Sequence, residues 1–163
     1  LSLSNKTINT NKYDFNYNDK EKYTDNYINL VKKIPSTIIS LYLTDTYIYN
    51  LLDNVLLANL LKIKIEKFNH NTDTLEKIKN SNLEEIILGI SNDLGSYIIK
   101  LDVILTNLPT CLKKLTIFNT MKDNIRIKTK LIPKNLIFFQ INGKKYEENK
   151  LNKIKKEQFF IFN

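Results

Sequence analysis

Ile34-Pro35-Ser36-Thr37-Ile38-Ile39-Ser40-Leu41-Tyr42-Leu43, Leu108-Pro109-Thr110-Cys111-Leu112-Lys113-Lys114-Leu115-Thr116-Ile117 and Ile132-Pro133-Lys134-Asn135-Leu136-Ile137-Phe138-Phe139-Gln140-Ile141 are three copies of one phrase. Its form is (I/L)-P-x-x-L-x-x-L-x-L, with Leu, Ile or Phe in the L slots. The chain has three prolines, and all three stand in this register. The last two copies lie 24 residues apart and the first two 74, which leaves room for two copies without proline. These are Leu60-Leu61-Lys62-Ile63-Lys64-Ile65 and Leu83-Glu84-Glu85-Ile86-Ile87-Leu88. First slots then fall at 38, 60, 83, 112 and 136, spaced by 22, 23, 29 and 24. The apolar triplet alone is common in a chain this rich in aliphatic residues, so the prolines carry the case.

The second and third slots are two residues apart, which places them on one face of a short strand. A strand with a return segment of this length cannot bury its apolar face alone, so neighbouring units must stack into a parallel sheet. Proline three residues before the triplet fixes the turn into the strand, where no ladder N–H is needed. The pattern predicts an α/β fold: a leucine-rich-repeat solenoid whose curved parallel sheet has five to six strands, with short helices or extended returns on the convex side. It divides the chain into an N-terminal cap (1–33), about five repeats (34–142) and a Lys-rich C-terminal cap (143–163), all within one domain.

The phrases resemble leucine-rich repeat proteins, and their IP and LP pairs look like the FNIP subclass of social amoebae and large amoebal viruses. A Phe-Asn pair follows the strand in that subclass, and Phe68-Asn69 and Phe118-Asn119 echo it here. The Asn slot usual in such repeats falls at Thr46, Phe68, Ser91, Thr120 and Lys144, which predicts no regular Asn ladder. The resemblance implies a non-catalytic protein-interaction module, with substrate recognition in ubiquitination as its setting. No F-box is recognisable in residues 1–33.

Between the strands, Tyr47–Leu57, Asp73–Ile78 and Tyr97–Leu105 read as short helices, and Asp123–Lys130 as an extended return. Upstream, Tyr23, Tyr27 and Val31 form a helical stripe within Asp19–Lys33, and Tyr13, Phe15 and Tyr17 alternate as in a strand. The apolar end Gln158–Asn163 is placed against the far edge of the sheet.

Composition sets the remaining bounds. The chain has 163 residues, a formal net charge of +8, one Cys and no Trp. Its 23 Asn and 23 Ile reflect a bias towards A/T-rich codons, which also favours Lys over Arg. No apolar run reaches the 18 or so residues of a membrane span, and the start has no signal-peptide core, so a cytoplasmic protein is expected (the host cytoplasm if viral). It opens on Leu1 rather than Met, as a piece of a longer array would.

Catalysis is not expected. His70 is a lone imidazole on a turn, Cys111 has no nearby base, and Glu84 and Glu85 point to opposite faces of a strand. With only Gly89, Gly95 and Gly143, no phosphate-cradling loop is available, and neither metal nor cofactor is predicted.

The candidate site is the concave sheet face. There Tyr42, Lys62, Lys64, Glu85, Ile87, Lys114, Thr116, Phe118, Phe138 and Gln140 are assigned to a protein partner. Aromatic anchors among mixed charges suit such a surface. The alternative is a nucleic acid or anionic surface on Lys128, Lys130, Lys144, Lys145, Lys150, Lys153, Lys155 and Lys156. Residues 1–120 carry a net +1 and residues 121–163 a net +7, so the positive excess belongs to the last quarter. A solvated Lys-rich cap is the favoured reading of that run, since Arg is nearly absent and no aromatic platform stands among its lysines.

Overall fold

Each apolar triplet enters a strand, and the five strands lie side by side. The structure, a computed structural model, describes residues 7–9, 28–29, 32, 34–68, 72–90, 101–118 and 125–162. The expected N-terminal helix stripe and the alternating Tyr13, Phe15 and Tyr17 fall mostly or wholly outside them, as does His70. In chain order come β1 (Thr7–Asn9), β2 (Ser40–Asp45), α1 (Thr46–Leu51), α2 (Asn54–Asn59), β3 (Lys62–Phe68), α3 (Thr72–Lys79), β4 (Glu85–Ile90), α4 (Leu101–Thr106) and β5 (Lys114–Phe118). There follow β6 (Ile125–Lys128), a 3-10 turn (Thr129–Leu131), β7 (Phe138–Ile141), β8 (Lys144–Glu147), α5 (Glu148–Ile154) and β9 (Phe159–Phe162).

Seven strands make one sheet in the order β1-β2-β3-β4-β5-β7-β8. Six of them run parallel, and β8 lies antiparallel against β7. The protein is therefore α/β, with a mostly parallel sheet and short helices.

The register aligns the triplets across the whole sheet. Leu41, Ile63, Ile86, Leu115 and Phe139 are paired in one row, and Leu43, Ile65, Leu88, Ile117 and Ile141 in the next. All ten, together with the first-slot residues Ile38, Leu60, Leu83, Leu112 and Leu136, are at most 3% exposed. They share one core with Tyr49, Leu75, Ile78, Ile104 and Leu151 from the helices, so the helices cover this face of the sheet. Burying one such aliphatic side chain contributes about 1.5–3 kcal/mol, which makes this face the main source of stability.

The prolines act as expected. The carbonyls of Pro35, Pro109 and Pro133 each accept the N–H three residues on, from Ile38, Leu112 and Leu136, all at 3.1 Å. Each bond closes the turn into the following strand.

These turns are tied across units by a ladder of side chains. The Asn59 amide donates to the Ser36 carbonyl at 2.8 Å, that of Asn82 to Ala58 at 3.1 Å, and that of Asn135 to Thr110 at 2.8 Å. Cys111 holds the same position, its thiol donating to the carbonyls of Leu83 at 3.4 Å and Ser81 at 3.8 Å. An amide ladder thus exists, one residue before the first slot rather than after the strand. At the far end the ammonium of Lys155 donates to Lys134 and Leu136, both at 2.9 Å. In each case a side chain of the following unit satisfies a turn carbonyl that would otherwise turn to water.

The C-terminal end differs from the expectation. Phe159–Phe162 does not join the main sheet but pairs antiparallel with β6. The main edge is already taken by β8, which folds back from β7 through Asn142 and Gly143. Both of these have positive φ, 45° and 85°, as a two-residue type I′ turn requires.

Candidate protein-binding face

The residues between the buried rows point to the other side of the sheet. One row is Ser40, Lys62, Glu85, Lys114 and Phe138, and the next is Tyr42, Lys64, Ile87, Thr116 and Gln140. Strand β8 extends both, placing Glu147 beside Phe138 and Lys145 beside Gln140. All ten residues assigned to this site from the sequence lie on this face. Phe118 is paired with Gly89, one row further along. Lys114 is exposed and the other nine are half-buried.

Charge on the β3–β4 half is paired within the face. The Lys62 ammonium lies 2.7 Å from the Glu85 carboxylate, and that of Lys64 lies 3.5 Å from Glu66 and 4.2 Å from the centre of the Tyr42 ring. Such half-exposed pairs are each worth about 0–1 kcal/mol and serve more to order the side chains than to stabilise the fold. Lys114 and Lys145 form no ion pair among the described residues.

Gly89 explains the position of Phe118. A Cβ at residue 89 would lie 2.6 Å from the Phe118 ring and 2.1 Å from the Glu66 carbonyl oxygen. The glycine is therefore a seat for the ring, next to the register shift of β3 between Ile65 and Phe68.

The lysines of the alternative site are spread over several elements. Lys128 is in β6, Lys130 in the 3-10 turn, Lys144 and Lys145 in β8, Lys150 and Lys153 in α5, and Lys156 just beyond it. All seven are exposed. The Lys150 ammonium sits 4.7 Å over the Tyr146 ring. Lys155 is engaged as the last rung of the ladder. Burial lowers its pKa, opposed by the nearby Glu148 carboxylate.

Glu84 pairs with Lys113 at 2.8 Å while Glu85 pairs with Lys62, so the two carboxylates serve different lysines. Among the described residues there is no group of three His, Cys, Asp or Glu placed to hold a metal ion, and no helix is long and apolar enough to cross a membrane. A groove of about 470 Å³ between α2 and α3 contains Asp73 and Glu76. Beside them, the Lys77 ammonium donates to the carbonyls of Asn50 and Leu52, closing the end of α1.

Sequence reasoning missed two features of the site region. The ladder was legible as Asn59-Leu60, Asn82-Leu83, Cys111-Leu112 and Asn135-Leu136, each a small polar donor before a first slot. The hairpin that widens the face was legible as Asn142-Gly143 between two extended segments. Comparison of the chain with protein-family models, curated protein sequences and solved structures gives no match.

Proposed function

We propose that the chain is a leucine-rich-repeat solenoid that binds a protein partner through its open sheet face, without catalysis. One observation carries this reading. Tyr42, Ile87, Phe118 and Phe138 are half-buried on the face opposite the core, spread over four strands whose apolar needs are already met on the other side. Large apolar groups in a frame of ordered charges match the composition of a protein interface core. The regular spacing of turns, rungs and buried rows supports the repeat reading. On the resemblance of the phrases, the partner is a substrate delivered for ubiquitination.

The test is affinity capture from cells with the wild-type chain and with Phe118→Lys/Phe138→Lys, each checked for its melting temperature. Partners held by the wild type and lost by a folded double variant support the proposal. A folded double variant that keeps every specific partner sinks it.

A further inference from the structure

The β6–β9 ribbon is two-sided. Register pairs Ile127 with Phe160 on one side and Lys128 with Phe159 on the other, and it sets Arg126 opposite Ile161. The first side faces the core: Ile127 is 1% exposed, and the Phe160 ring meets Tyr146 edge-on at 5.9 Å. By alternation the second side faces out. There Ile161 is 50% exposed, the largest value for any large hydrophobic residue among those described. Lys128, on the same side two residues along and opposite the half-buried Phe159, is exposed, as is Lys130 in the next turn. Apolar groups therefore do interleave the basic segment, which its linear sequence conceals.

Charge pairing differs along the chain. Lys62 and Lys64 of β3 and Lys113, just before β5, each face a carboxylate, whereas Lys114 faces none among the described residues. Among the described residues no lysine of 125–162 forms an ion pair, although Glu147, Glu148 and Glu157 lie in the same segment. Residues 121–163 carry a net charge of +7, so this end presents an uncompensated positive field.

We propose that the outer side of the β6–β9 ribbon docks on an anionic lipid surface, with Ile161 entering the headgroup–acyl boundary and Lys128 and Lys130 at the headgroups. Lysine stems lie along apolar surface while their ammonium groups stay at the polar boundary. Each cation near an anionic leaflet adds attraction that falls off within a Debye length. Of the two apolar groups on this side the more exposed, Ile161, is aliphatic, whereas Phe159, the one with a π-face on which a base could stack, is half-buried, which favours lipid over single-stranded nucleic acid. The ribbon is separate from the open sheet face, so this proposal does not depend on the protein-binding reading.

The full chain is tested by sedimentation with phosphatidylcholine vesicles, with and without phosphatidylserine. Binding is expected only with phosphatidylserine, weakening as salt rises. Lys128→Ala/Lys130→Ala is expected to weaken it by about 25-fold, or about five-fold per lysine. Ile161→Ser weakens it at constant charge, while Ile161→Leu keeps it. The chain contains no Trp, so Ile161→Trp supplies a single tryptophan, excited selectively over the nine tyrosines, whose emission shifts to the blue on phosphatidylserine vesicles. This readout stands even where Ile161→Ser fails to fold. Absence of vesicle binding, binding indifferent to Ile161→Ser in a folded protein, no blue shift, or tighter binding to single-stranded RNA than to vesicles each overturns the proposal.

Discussion

The Phe118 ring occupies space that any side chain at Gly89 would need, with the Glu66 carbonyl closing the same space from the other side. Gly89→Ala is therefore expected to destabilise by about 2–3 kcal/mol, the upper part of the usual range for overpacking. Phe118→Ala removes one of the two obstacles and leaves the backbone one. In a double-mutant cycle by urea denaturation, Phe118→Ala should recover part of the loss, with a coupling of about 0.5–3 kcal/mol. Full additivity would show that the ring does not depend on the glycine.

The rungs of the ladder should be worth measurable stability. Asn82→Ala and Asn135→Ala each remove an amide donor at the surface, where water partly replaces it, and are expected to cost about 0.5–1.5 kcal/mol. Cys111 donates through sulfur at longer distance, so Cys111→Asn should match or exceed the wild type, while Cys111→Ala loses stability. Thermal unfolding monitored by circular dichroism checks all four.

Lys155 carries a charge on two carbonyls at the last turn. Charge-assisted bonds of this kind are worth about 1.5–3 kcal/mol, and Lys155→Met leaves both carbonyls without their donor. Its loss of stability in urea should exceed that of Lys153→Met, an exposed lysine two residues away. Equal effects would remove Lys155 from the ladder.

Tyr49 is wholly buried in α1, and its hydroxyl has no hydrogen-bond partner among the described residues. Tyr49→Phe removes that unmet group at nearly constant volume, and stability should be unchanged or higher by about 1 kcal/mol. Burial also raises the phenol pKa. The neutral form is thereby favoured in the folded state, so its contribution is complete below the unfolded value of about 10 and is lost as pH rises beyond it. Tyr49→Phe should flatten that alkaline decline, leaving the weaker contribution of Tyr146, whose pKa burial also raises. A steep decline unchanged by the substitution would count against the buried phenol.

The parallel sheet was legible because period-two slots and in-register prolines report the same strands independently. Lys62 opposite Glu85 and Lys64 opposite Ile87 follow from spacing alone, since a strand pair permits one register once its buried face is chosen. The C-terminal quarter was harder to read. Its lysines suggested a solvated cap, yet Asn142-Gly143 encodes a hairpin whose strand β8 closes the edge expected for Phe159–Phe162. That apolar end then pairs with Ile125–Lys128, whose alternating Ile125 and Ile127 require a partner strand. Partner choice between distant short strands depends on which edges remain open, which no local pattern records. The seat beneath Phe118 was hidden for a similar reason: an isolated glycine in a strand does not reveal which ring lies over it.

The ladder also gives the chain a direction in time. Every rung donor lies downstream of the carbonyl it satisfies, from Asn59 on Ser36 to Lys155 on Lys134. As the chain leaves the ribosome, each turn therefore emerges before the side chain that completes it, and among these rungs the carbonyls of Lys134 and Leu136 are the last to receive their donor.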